Sequence, residues 1–193
     1  NLAGNSANIR LDSLLVIYNQ FIVKNKGELS VDYSGESIRI NNFVLTPVKG
    51  EISLSGFLNT RGSQDMKLKV NQLDVKEIMV GLLGMSSNDS PEADLNLSTA
   101  ITGDFNNPVI EIESQIDSIE FRNKKFGSLV GNFDYSNRNF RINSYFVDEL
   151  KQFGNAKLNI TGNIPIDLGF ASVDERISET GVISIKLLAE DFD

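Results

Sequence analysis

Apolar and polar residues alternate with a period of two along most of this chain. Leu29, Val31 and Tyr33 are separated by Ser30 and Asp32, Ile38 and Ile40 flank Arg39, and a Phe43-Val-Leu45 cluster follows. Ile52 and Leu54 sit among Glu51, Ser53 and Ser55, while Met66, Leu68 and Val70 alternate with Lys67, Lys69 and Asn71. The second half keeps the habit in Leu95/Leu97, Ile110/Ile112, Phe133/Tyr135, Phe140/Ile142, Leu158/Ile160, Ile164/Ile166/Leu168 and Ile183/Ile185/Leu187. Alternation sends successive side chains to opposite faces of a strand, so each strand is wet on one side and apolar on the other. That pattern belongs to antiparallel sheet, not to parallel sheet covered on both faces. Compact turn sequences at Val48-Lys-Gly-Glu51, Thr60-Arg-Gly-Ser63, Asn106-Asn-Pro108 and Ser136-Asn-Arg-Asn139 predict about a dozen strands meandering in chain order.

Three strands carry the same punctuation, a hydroxyl residue followed by glycine: Ile52-Ser-Leu-Ser-Gly-Phe-Leu58, Thr99-Ala-Ile-Thr-Gly-Asp-Phe105 and Leu158-Asn-Ile-Thr-Gly-Asn-Ile164. The glycines stand 47 and 59 residues apart, too unequal for a strict solenoid. They are expected to mark where each apolar strand bends or ends.

One segment changes period. Apolar residues at Val75, Ile78, Met79, Leu82 and Leu83 have helical spacing, Asp74 can cap the amino end, Glu77 completes an Asp-x-x-Glu box, and Gly84 suits the exit. The single apolar face of this helix predicts that it covers part of the sheet's apolar side. Met85-Ser-Ser-Asn-Asp-Ser-Pro-Glu92 reads as a linker between two modules, 1–84 and 93–193, which can still share one sheet. Ser172-Val-Asp-Glu-Arg-Ile-Ser-Glu179 reads as a second break.

Composition narrows the chemistry. Histidine, cysteine and tryptophan are absent, which removes thiolate nucleophiles, Cys/His metal sites and the commonest general base. No cofactor or metal is called for, and an enzyme ranks last among the readings. The net charge is −8. Residues 1–90 carry nine basic and nine acidic side chains, and residues 91–193 carry nine and seventeen, so the second half holds all of it. Nucleic acid and anionic membrane surfaces, which demand basic patches, are poor partners. No apolar run reaches the ~18–20 residues of a spanning helix. Leu14-Leu-Val-Ile-Tyr18 lacks the flanks of a signal peptide. The missing initial methionine and the ending in mid-pattern read as a piece of a longer protein.

The apolar face needs a cover, and one short helix cannot supply it. Either a closed sandwich or barrel core hides it, or the sheet folds over and its interior holds apolar ligand. Aromatic content is 8% and the inward positions are slim aliphatics, which favours a groove. The expected contact surface is Leu29, Val31, Ile52, Leu54, Leu68, Val70, Leu95, Leu97, Ile110, Ile112, Leu158, Ile160, Ile164 and Ile166. Acyl chains suit such a surface, since each buried methylene contributes roughly 0.8 kcal/mol without any directional contact. Other motifs are weaker. Asn88-Asp-Ser90, Asn96-Leu-Ser98 and Asn159-Ile-Thr161 match the glycosylation sequon; Glu111/Glu113 and Asp148/Glu149 are candidate calcium ligands or paired carboxylates, of which Glu111 and Glu113 share one strand face and read as solvating it; Lys124-Lys125 with Arg122 forms a basic turn.

Within residues 93–170, Ala93-x-Leu-x-Leu97, Ile101-Thr-Gly103, Asn107-Pro-Val109, Phe126-Gly127, Leu129-x-Gly131 and Gly154-x-Ala-x-Leu-x-Ile-Thr-Gly162-Asn-Ile-Pro165-Ile-Asp-Leu168 together resemble the AsmA/TamB family, closest to its TamB branch. The first module fits through Gly50-Glu-Ile-Ser-Leu-Ser-Gly56 and the helix near Ile78. The resemblance implies a mainly all-β fold: an elongated antiparallel sheet folded lengthwise into an apolar, β-taco-like groove. It implies a place in the periplasm of a diderm bacterium, with an inner-membrane anchor outside this segment and phospholipid acyl chains as cargo. Through the full-length chain it also implies an Omp85-type outer-membrane barrel as partner. Two rival readings stand beside it: a module assisting outer-membrane barrel assembly by strand augmentation, and a structural or carbohydrate-binding β-sandwich.

Overall fold

In the computed structural model, residues 6–147, 157–170, 176–177 and 181–190 are described. Thirteen strands form one antiparallel sheet: β1 (Ser6–Leu11), β2 (Leu15–Tyr18), β3 (Phe21–Asn25), β4 (Leu29–Ser34), β5 (Ser37–Thr46), β6 (Glu51–Asn59), β7 (Asp65–Asp74), β8 (Glu92–Asp104), β9 (Asn107–Phe121), β10 (Lys124–Ser136), β11 (Asn139–Val147), β12 (Lys157–Pro165) and β13 (Ser184–Glu190). From β4 to β13 each strand pairs with the next in sequence. The start departs from the meander. β1 pairs with β4, and β2 and β3 make a hairpin that joins the sheet only where Lys24 and Asn25 meet Thr46 and Leu45 of β5. β5 is long enough to serve β4 with one half and β3 with the other.

The sheet is elongated and open. The outer edges of β1 and β13 carry no neighbouring strand among the described residues. The chain exposes 12288 Å², against about 9,100 Å² for a compact monomer of its mass. Among the described residues the buried hydrophobic ones are Val23, Leu29, Val70, Leu73, Ala93 and Tyr135, far too few for a closed sandwich.

The helical spacing materialises as α1 (Val75–Glu77), which continues as a wider π-type turn over Ile78–Leu82. Asp74 Oδ1 accepts the Glu77 N–H at 3.1 Å, so the cap forms. The Glu77 carboxylate reaches instead toward the Val48 N–H at 3.4 Å, and the reciprocal half of the box is not made. Leu83 N–H donates to the Ile78 carbonyl at 3.1 Å and Met85 N–H to Met79 at 2.9 Å, with Gly84 at φ +70° closing the exit. Gly81 lies flat on β3: a Cβ there would stand 2.7 Å from the Phe21 nitrogen. The segment 85–92 contains a single 3-10 turn, Ser87–Asp89, and β7 and β8 on either side of it pair directly through Met66↔Ile101 to Asp74↔Asp94.

One expected strand is shorter than its pattern. The alternation Ile164/Ile166/Leu168 ends at Pro165, which has no N–H for the ladder, and residues 166–170 turn across the sheet's end. There the Ile166 N–H donates to Arg138 O at 3.0 Å, Leu168 N–H to the Tyr135 hydroxyl oxygen at 2.8 Å, and Phe170 N–H to Phe105 O at 3.0 Å. Arg176 Nη1 donates to the carbonyls of Asp167 and Gly169 at 3.0 and 2.8 Å. Most of the expected break at 172–179 lies outside the described residues.

Candidate functional site

Paired residues in an antiparallel sheet share a face, so the register builds the surface strand by strand. One row runs Leu45–Ile52–Val70–Leu97–Ser114–Gly131–Ser144–Ile160–Leu187. A second runs Phe43–Leu54–Leu68–Thr99–Ile112–Phe133–Ile142–Gly162–Ile185. A third runs Val31–Ile40–Gly56–Met66–Ile101–Ile110–Tyr135–Phe140–Ile164. Leu95 belongs to a fourth, Leu73–Leu95–Ile116–Leu129–Phe146.

Leu29 pairs with Leu11 and lies two residues from Val31, and Leu158 pairs with Ala189 two residues from Ile160. Thirteen of the fourteen residues singled out in the sequence therefore sit on one face within named strands. Ile166 lies beyond β12, in an isolated bridge to Ile177. The expected contact surface omitted residues that join the rows: Met66, Phe133 and Ile142, which the period-two pattern had placed in strands, and Ile101 and Ile116, which it had not. Nor did it mark Thr99, Ser114, Gly131 and Ser144, which interrupt the apolar phase with small groups. Their signal was positional, since each falls two residues from an aliphatic on the same strand.

Exposure along this face has a gradient. Ile9 of β1 is 59% exposed and Leu187 of β13 is 63% exposed, while Val70 in the middle is 7% exposed. Between these limits the row residues are mostly half-buried, including Leu97 and Ile160. The face is partly sheltered at its centre and open at both sheet edges.

All three motif glycines lie within strands on this apolar face, each with its hydroxyl neighbour (Ser55, Thr102, Thr161) exposed on the other. Gly56 has φ +117° and Gly103 φ +81°. A Cβ at Gly56 would lie 2.0 Å from the Asp65 carbonyl oxygen. Beside it, β5 carries a bulge between Ile40 and Phe43. Bulges and inward glycines sharpen local strand curvature.

The opposite face is polar. Lys69–Ser98–Glu113–Asn132–Asn143–Thr161–Lys186 forms one cross-strand row, and Glu111–Asp134–Arg141 lies in the next. Glu111 and Glu113 are exposed there, as their spacing predicted; Asp148 and Glu149 lie outside the described residues. A shallow hollow of about 410 Å³ is lined by Lys69, Asn71, Asn96, Ser98, Glu113, Gln115, Val130 and Asn132, with Val70, Leu97 and Ser114 between them. Asp117 organises its margin, accepting hydrogen bonds from Gln115 Nε2 at 2.7 Å, Ser128 Oγ at 3.0 Å and Asn96 Nδ2 at 3.2 Å.

Charges near the helix are paired. Lys49 contacts Asp94, whose hydrogen bond holds the ammonium above its ordinary pKa, and the Lys76 hydrogen bond at 2.8 Å holds Glu92 below the usual carboxylate value. Arg122, in the basic turn, meets Asp89 at 3.3 Å and lies 5.1 Å over the Phe121 ring. Among the described residues no cluster of acidic side chains could hold a metal ion, and no helix is long and apolar enough to cross a membrane.

Comparison with protein-family models, with curated proteins and with solved structures returns no match for this chain. Its own geometry therefore carries the functional reading.

Proposed function

We propose that the sheet folds lengthwise into a trough that shelters lipid acyl chains, as one segment of a periplasmic bridge of the AsmA/TamB kind between inner and outer membranes. The single observation that carries this reading is the mainly apolar face that continues from strand to strand. It runs through the eleven strands of the main path by cross-strand pairing, and among the described residues the short helix and the 166–170 turn meet it at its margins. Strand curvature supports the folding, because Gly56, Gly103 and Gly162 all lie on the face that would become concave. A chain of a dozen methylenes half-covered by such a face gains several kcal/mol, at roughly 0.8 kcal/mol per fully buried methylene. Contacts of that kind have no direction, so the chain can slide, which conduction needs.

The test pairs composition with position. Native mass spectrometry of protein purified without detergent is expected to detect bound phospholipid. A photo-crosslinking residue at Leu97 is expected to label it, whereas one at the adjacent Ser98, on the polar face, is not. Equal labelling at both sites, or none at Leu97, refutes the trough.

A second reading draws on a specific observation, the outer edge of β13, which has no neighbouring strand among the described residues and has Ile185 60% and Leu187 63% exposed. An open edge can accept a strand from an unfolded barrel protein. Crosslinks from β13 to such a substrate, with no lipid at Leu97, favour assembly over transport.

A further inference from the structure

Among the described residues, Gln64 alone has buried side-chain polar atoms, Nε2 and Oε1, without any hydrogen-bond partner. It is 3% exposed. Buried polar groups are nearly always satisfied, so an orphaned primary amide calls for a partner. Gln64 precedes Met66 by two residues and so lies on the apolar face, at the margin of the third row. Its backbone N–H donates to Gly103 O at 2.8 Å, and Gly103, on the same face, adds no side chain of its own.

This margin is drawn together by backbone links. Phe105 N–H donates to Gly62 O at 3.2 Å and Phe170 N–H to Phe105 O at 3.0 Å, and the rings of Phe105 and Phe170 stand 5.5 Å apart. Arg138, also at this margin, is engaged with Asp167 at 3.2 Å, so it does not offer a free cation to an ionised head group.

We propose that Gln64 anchors the polar linkage of the trough's ligand, and that this ligand is a monoacyl glycerol ester, with a free hydroxyl beside its ester carbonyl. The inference rests on the trough reading and specifies its cargo. A carboxamide offers N–H donors and a carbonyl acceptor together. A plain ester, or the two esters of a diacyl lipid, supplies acceptors only and leaves Oε1 unpaired. An ester carbonyl next to a hydroxyl satisfies both: Nε2–H donates to the carbonyl, and the hydroxyl donates to Oε1. The alkyl chain then lies along Met66 and Ile101, which pair across β7 and β8.

The experiment measures binding of 1-monooleoylglycerol, oleoyl lysophosphatidylethanolamine and methyl oleate to the wild-type chain and to Gln64→Leu, with Gln64→Met as a second variant of closer shape. The wild type is expected to bind both hydroxyl-bearing esters about tenfold more tightly than methyl oleate, the ratio that one unpaired buried polar group produces. Either variant should bind all three alike, and no more tightly than the wild type binds methyl oleate, because the Nε2–H bond to the ester carbonyl is lost as well. A preference that survives in the variants, or its absence in the wild type while methyl oleate binds, overturns the assignment. A gain confined to the lysophospholipid moves recognition to the charged head and also overturns it. Failure of every acyl ligand to bind refutes the trough itself.

Discussion

Gly56→Ala isolates what the strand-and-glycine phrase does. The added methyl would lie 2.0 Å from the Asp65 carbonyl oxygen and 2.8 Å from the Met66 Cα. Both atoms belong to the backbone of β7, so the clash cannot be relieved by a rotamer change and the β6–β7 ladder must part. Two costs add. Holding alanine at φ +117°, in a region that side chains avoid, costs about 1–3 kcal/mol. Losing two neighbouring ladder hydrogen bonds costs about 1 kcal/mol each. The expected destabilisation is about 3–5 kcal/mol. Gly27→Ala is the control, because Gly27 has φ +76° with nothing within 4 Å of an added Cβ; it should cost about 1–2 kcal/mol. In urea, with a slope of about 2 kcal/mol per molar, the two midpoints should differ by about 0.5–2 M. Circular dichroism at the sheet band and tyrosine fluorescence both report the transition. Equal midpoints would refute the claim that Gly56 is required by close approach of the next strand.

Two further outcomes test the margins of the sheet. Tyr135→Phe removes the acceptor of the Leu168 N–H in a fully buried place, so it should cost about 1–3 kcal/mol and speed proteolytic cleavage within 166–170. Cleavage at the wild-type rate would show that the hydroxyl does not hold this turn. Asp32 is held below its ordinary 3.8 by hydrogen bonds from Asn8 and then Asn41, so it ties β1 and β5 to β4. Because its folded pKa is depressed, the stabilisation is complete above 3.8 and is lost as pH falls through the lower folded value. Amide exchange in β1, corrected for the intrinsic rate, should therefore rise relative to β8 as the pH falls below 3.8 and through the lower folded value. Asp32→Asn should abolish that difference.

The period-two pattern carried the sheet because its faces differ in solvent. Leu68 and Lys67 cannot exchange faces without placing an ammonium among aliphatics, so alternation fixes face and, through it, register. Asp74, Glu77 and Gly84 likewise announced the helix by local chemistry. Three things were not legible. The pairing of β1 with β4 depends on β5 being long enough to hold two partners, a relation between strands that no single strand encodes. The end of β12 at Pro165 overrode an apolar period that continued through Leu168, because the missing N–H outranks the pattern. Gln64 carried no signal, since it falls between the Thr60–Ser63 turn and the alternation that begins at Met66. The candidate face was visible as scattered aliphatics; only the register showed that they align, and that Thr99, Ser114, Gly131 and Ser144 lie among them.

The strands stack in sequence order with almost no packing beyond the next neighbour, so this molecule is measured in length rather than in volume. Each strand on the path adds about 4.8 Å along the hydrogen-bonding direction, and the eleven on the main path give roughly 50 Å. A hairpin inserted in one of the turns would lengthen the sheet by about 10 Å and return the chain in the same direction. It would demand no compensating change elsewhere, because no opposing layer has to be matched. Reach in such a protein is a count of hairpins, adjustable two strands at a time.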